Sequence, residues 1–131
     1  MKKIIYSPGE PSGIGPDLII KLSSSNLWED LKIPIVSIGD PKLFIDRAAV
    51  LKKKIQIVEL ESLNEVSKNT RGLLQIIKVT KCSNTRPGKL YKSNAQYVLN
   101  NLTYSIEQTM QNEGTALVTG PLSKETVSYT H

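Results

Sequence analysis

The chain has 131 residues, close to one domain of ~150, and its 39% hydrophobic and 22% charged content excludes a disordered polymer. One cysteine, Cys82, excludes a disulfide framework, and no apolar run reaches the ~18 residues of a membrane-spanning helix. The net charge of +5 is diffuse, with Lys52-Lys53-Lys54 as its one tight run and aromatics at 5%, so a nucleic-acid surface is not expected.

Lys3 to Ser7 reads as a short buried strand entering a stiff loop, Pro8-Gly9-Glu10-Pro11-Ser12-Gly13-Ile14-Gly15. Pro16 suits the first position of a helix, with Asp17 in the first turn at the positive end of the helix dipole. Leu18, Ile19 and Leu22 are expected to face the core, and Ser23 to Asn26 to end the helix. Ile33 to Ile38 is a second strand, followed by a helix that Asp40 caps and Pro41 opens. Leu43, Phe44, Ala48 and Leu51 form its apolar side, and the lysine run reads as its solvated end. Ile55 to Val58 is a third strand, Glu59 to Arg71 is polar without a clear period, and Leu73 to Val79 is a fourth strand. A turn-rich segment, Ser83 to Lys89, leads to a long helix with a Ser93/Gln96 capping box. Its apolar stripe is Ala95, Val98, Leu99, Leu102, Ile106 and Met110; Gly114 stops it before a last strand, Thr115 to Thr119. Strand-length and helix-length segments alternate, which predicts an α/β fold: a mainly parallel sheet with helices on both faces.

Two segments stand where a strand runs into a helix, the edge at which open parallel sheets bind ligands. In the first, Gly13 and Gly15 are candidates for close backbone approach to a substrate or cofactor, with the next helix N-terminus able to receive an anion. The loop is neither a Walker A loop, since no Lys-Ser or Lys-Thr follows, nor a full Rossmann fingerprint, since Leu18 stands at the third glycine. In the second, Thr119-Gly120-Pro121-Leu122-Ser123-Lys124, Lys124 is the candidate for charge toward a phosphate or carboxylate. The alternative for either segment is structural: a tight turn for the first and a solvated lysine for the second. Cys82 reads as a filler residue with no internal histidine to activate it, and Tyr97 and Tyr104 as packing or surface residues. One histidine and one cysteine far apart make no metal set, so no catalytic or metal residue is assigned.

Taken together, Gly9-Glu10-Pro11-Ser12-Gly13-Ile14-Gly15-Pro16-Asp17 and Val118-Thr119-Gly120-Pro121-Leu122-Ser123-Lys124 resemble two motifs of the 4-hydroxythreonine-4-phosphate dehydrogenase family. Ile38-Gly39-Asp40, Asp46-Arg47-Ala48 and Pro87-Gly88-Lys89 are similar to that family as well, so the resemblance runs from about Lys3 to Lys124. It implies an isocitrate/isopropylmalate dehydrogenase-like fold, here incomplete. It also implies oxidation of 4-phosphooxy-L-threonine with NAD or NADP, then decarboxylation to 3-amino-2-oxopropyl phosphate, in pyridoxal phosphate biosynthesis. A divalent metal (Zn, Mg or Co) held by three histidines polarises the reacting oxygen in that family, whose members are cytoplasmic homodimers.

Members are more than twice as long as this chain, and their metal histidines fall beyond it. Residues 1–131 are therefore expected to be an N-terminal part that is inactive alone. Residues 127–131 read as a possible non-native tail, and no role passes to His131. The alternatives are a decarboxylating dehydrogenase for another phosphorylated or acidic substrate, and a non-catalytic anion-binding module.

Overall fold

Short runs of Ile, Val and Leu build five strands: β1 (Lys3–Ser7), β2 (Ile35–Ile38), β3 (Gln56–Leu60), β4 (Leu73–Ile77) and β5 (Thr115–Thr119). The computed structural model describes residues 2–83, 85, 88, 89 and 91–122. All strand pairs are parallel, in the order β3-β4-β2-β1-β5, with Ile5 level with Val36 on one side and Leu117 on the other. Between them run α1 (Gly15–Ser23), the short α2 (Leu27–Asp30), α3 (Pro41–Val50) and α4 (Ala95–Gln111). The α/β reading of the sequence holds.

Side chains alternate across the sheet, and the alternation makes two cores. Tyr6, Ile35, Leu74 and Ile76 meet Ile19 and Ile20 of α1, Trp28 of α2, and Leu43, Phe44 and Ala48 of α3. Their neighbours Ile5, Val36, Ile38 and Ile77 turn to the other face, where Leu63, Val66 and Tyr104 of α4 pack. The chain moves one way across the sheet from β1 to β3 and returns from β4 to β5, so right-handed crossovers place α4 opposite α1 and α3.

Several local expectations need correction. Ile33 is outside β2: Pro34 intervenes, and buried Asn69 donates to the carbonyls of Leu31 and Ile33 while accepting from Ile35 N. β3 begins one residue later than expected and runs on to Leu60, whereas β4 stops at Ile77. Glu59 to Arg71, unreadable by period, holds the end of β3 and a 3-10 turn at Leu63–Glu65. The Trp28 helix was not foreseen at all. Leu18 is 51% exposed, because α1 turns Gly15, Pro16, Ile19, Ile20 and Ser23 inward instead.

The largest revision concerns α4. Its buried side carries Ala95, Tyr97, Val98, Asn101 and Ser105, leaving Ile106 42% and Met110 81% exposed, with Leu99 also partly open. Tyr97 sets this rotation by accepting a hydrogen bond from Asp40 N at 2.9 Å, and the small Ser105 donates to its own helix at Asn101 O. The Ser93/Gln96 capping box does not form: Ser93 sits in a 3-10 turn (Lys92–Asn94), and the Gln96 amide donates to Asn100. The Lys52–Lys54 run is the exposed end of α3, as expected, with Lys52 at φ +56° just after it.

Candidate functional site

The loop after β1 is fastened to the segment after β5. Gly120 N donates to Ser7 O at 2.7 Å, and Glu10 N donates to Pro121 O at 3.1 Å. Backbone lies directly on backbone here. A Cβ on Gly15 or on Gly120 would overlap the Pro8 carbonyl, and one on Gly9, which has φ +82°, would overlap the Pro121 oxygen. Gly9 and Gly120 thus interlock the two motifs at the carboxyl edge of the sheet, and Gly15 seats the first loop on the same Pro8 carbonyl. Tyr6 adds a tie from β1, its hydroxyl donating to Gly15 O at 2.8 Å.

A second fastening comes from α3. The guanidinium of Arg47, 3% exposed, donates through Nη2 to Pro11 O at 2.5 Å and through Nη1 to Gly13 O at 3.0 Å. Nη1 also meets Asp17 Oδ1 at 2.7 Å, an ion pair that reaches the first turn of α1. Gly13 N closes a turn onto Glu10 O, and Ser12 O accepts from Gly88 N at 2.8 Å. Among the described residues, the amides of Ile14, Gly15 and Asp17 make no hydrogen bond, and the Ser12 hydroxyl, although buried, has no partner. A shallow cleft of about 370 Å³ lies over the loop, lined by Glu10, Ser12, Gly13, Ile14, Gly88, Pro121 and Leu122.

A larger cleft, about 630 Å³, opens beside the ends of β2 and β4, between Asp40, Lys42, Asp46 and the segment Lys81–Ser83. Asp40 organises its floor. Oδ1 accepts from Lys42 N at 3.1 Å as the N-cap of α3, and Oδ2 accepts from Cys82 N at 2.9 Å. Burial, with the Asp40 and Glu10 carboxylates adding to it, pushes the Cys82 thiol up to about 12. Such a thiol is protonated at neutral pH and is no nucleophile. Burial likewise raises the Tyr97 phenol far above its ordinary value, against the hydrogen bond from Asp40 N. Both groups are structural.

Of the residues singled out in the sequence, Gly13 lines the cleft and Gly15 lies buried beside it at the start of α1, whereas Lys124 and His131 lie outside the described residues. Gly15 is demanded by Pro8 whatever else it does, while a Cβ at Gly13 would come 3.3 Å from Glu10 O. Among the described residues no three His, Cys, Asp or Glu are grouped to hold a metal ion, so these residues do not fit a divalent metal. Also among them, no helix is long and apolar enough to cross a membrane. Arg47 was missed as a site residue. Its signal was there: a charged residue at helical spacing among Leu43, Phe44 and Ala48, on the buried side of α3.

The family model for the pyridoxal phosphate biosynthetic protein PdxA matches residues 30–131. The chain is 37% identical over 123 residues to the 4-hydroxythreonine-4-phosphate dehydrogenase of Shewanella frigidimarina, covering 94% of this chain and 36% of that one. It is 33% identical over 126 residues to the same-named protein of Yersinia pseudotuberculosis, covering 96% and 37%. The chain therefore spans a little over a third of the length of these curated relatives. Its fold matches crystal structures of 4-hydroxythreonine-4-phosphate dehydrogenases from Burkholderia phymatum (TM-score 0.85, 18% identity, 99% of this chain and 39% of that one) and Klebsiella pneumoniae (0.84, 22%, 98% and 39%). With most of its length under the family model and the same fold as the solved dehydrogenases, the chain belongs to the pyridoxal phosphate biosynthetic protein PdxA family.

Proposed function

We propose that this chain is the N-terminal part of an NAD- or NADP-dependent dehydrogenase that oxidises 4-phosphooxy-L-threonine, the keto acid then losing carbon dioxide to give 3-amino-2-oxopropyl phosphate. The observation that carries the reading is the interlock of Gly9, Gly15 and Gly120 with Pro8 and Pro121. It unites both family-like motifs at the sheet edge where α/β proteins hold ligands. There the free amides of Ile14 and Gly15 at the start of α1, with the close backbone approach that Gly13 permits, would hold a phosphate group of the substrate or of NAD(P). NAD(P), when bound, supplies the hydride acceptor. Lys124, three residues beyond Pro121, is assigned the added positive charge.

The proposal includes a cytoplasmic homodimer without nucleic-acid or membrane partners; the diffuse +5 charge supports the absence of a nucleic-acid partner. A divalent metal, if the enzyme uses one, takes its ligands from outside the described residues. The test is an assay of the full-length polypeptide carrying this segment with 4-phosphooxy-L-threonine, NAD or NADP and a divalent metal. NAD(P)H formation coupled to carbon dioxide release is expected, with none from the 131-residue chain alone. A full-length protein that reduces neither cofactor with this substrate overturns the reading.

A further inference from the structure

We propose that Arg47 is the positioning residue of the ligand loop, holding it so that the Ile14 amide, and not the Pro11 and Gly13 carbonyls, faces the cleft. The inference rests on the reading above that the loop receives an anionic group. A peptide unit is planar and trans, so its C=O and N–H point in opposite directions. Arg47 draws the Gly13 carbonyl inward at 3.0 Å, which turns the Ile14 amide of the same peptide away from the guanidinium. Ile14 is 58% exposed and lines the cleft. The Pro11 carbonyl is drawn inward in the same way. Two carbonyl dipoles that would repel an anion are thereby sequestered on a cation, and the contact with Asp17 at 2.7 Å ties the start of α1 to the same group.

Lysine cannot reproduce this. Its ammonium is a point donor on a flexible stem, whereas the planar fork of arginine reaches Pro11, Gly13 and Asp17 at once. A merely structural arginine in this position would affect stability and leave binding alone. The two roles therefore separate in the kinetics of the full-length enzyme, measured with its phosphorylated substrate and with NAD(P).

The experiment compares wild type, Arg47→Lys, Arg47→Met and the loop variant Ile14→Asp, each with a thermal melt beside its kinetics. For Arg47→Lys, KM for at least one of the two ligands is expected to rise ~10-fold or more with kcat nearly unchanged. Arg47→Met should show a larger rise, and Ile14→Asp a rise for the same ligand. If Arg47→Lys keeps wild-type KM for both ligands while Ile14→Asp does not, the loop binds but Arg47 does not position it, and the proposal falls. If Ile14→Asp also leaves both KM values unchanged, the loop is not the ligand site, and the underlying reading falls with it. Should Arg47→Met fail to fold, Arg47→Lys decides alone.

Discussion

An alanine at position 15 would set its Cβ on the Pro8 carbonyl, where two backbones already touch. Gly15→Ala is expected to cost ~3 kcal/mol or more in urea unfolding of the chain. Gly72→Ala is the control: Gly72, unlike Gly15, has a left-handed backbone, φ +80°, but nothing lies within 4 Å of its missing Cβ. That variant should lose only the ~1–2 kcal/mol of a left-handed residue; equal losses in the two would show that the interlock is not tight. Cys82 gives a pH test. Its thiol stays neutral in the fold up to about 12, whereas the unfolded thiol ionises near the ordinary 9.0. The unfolded state thus loses its proton first, so stability should fall as pH rises through that window. Cys82→Ala should lessen the fall, read as the urea midpoint at rising pH, and leave the part that the buried phenols contribute. The glycines of the loop were visible in the sequence as a cluster, but not the carbonyl each one clears: Pro8 for Gly15, and for Gly9 the Pro121 oxygen, more than a hundred positions away. Arg47 was hidden for the same reason, since a sequence shows a charge on an apolar face but not the carbonyls that receive it.

Among the elements, α3 was the most legible. Asp40 and Pro41 announce its start, and Leu43, Phe44 and Ala48 recur on the side that is buried. Asp40 also serves a second segment through Cys82 N, a link that no local pattern could announce. Asp40→Ala is therefore expected to destabilise by ~2 kcal/mol, more than a cap alone, because it also strands a half-buried amide. Asp40→Asn, which keeps an acceptor, should lose about half of that by thermal or urea unfolding. The long helix α4 misled for an equally physical reason. Its apolar residues keep helical spacing, yet only Ala95 and Val98 of the stripe are buried, because the hydrogen bond from Asp40 N to Tyr97 and the small side chains of Asn101 and Ser105 rotate the rest of the helix on the sheet. Periodicity identified the helix, and tertiary polar contacts chose which face is buried.

For the whole molecule, the sheet and its helices follow from alternation of apolar runs, and the relatives' crystal structures carry the same fold. Apolar surface is left open along Ile106 and Met110 of α4, with Leu18 and Val118 on the other side of the sheet. β5, paired only with β1 among the described strands, presents a free edge nearby. The 131-residue chain is thus expected to self-associate as its concentration rises. Ile106→Lys combined with Met110→Lys should reduce light scattering while leaving the melting temperature almost unmoved, as surface replacements do. Undiminished scattering would place the sticky surface elsewhere.

The bond from Gly120 to Ser7 also orders events in time. Emerging from the ribosome, the first glycine loop lacks the backbone that Gly9 and Ser7 meet until the fifth strand has been synthesised and has slotted in beside the first. Closing so long a span is slow relative to local helix formation. The earliest translated motif should then be among the last parts of the molecule to acquire protection against amide hydrogen exchange during refolding.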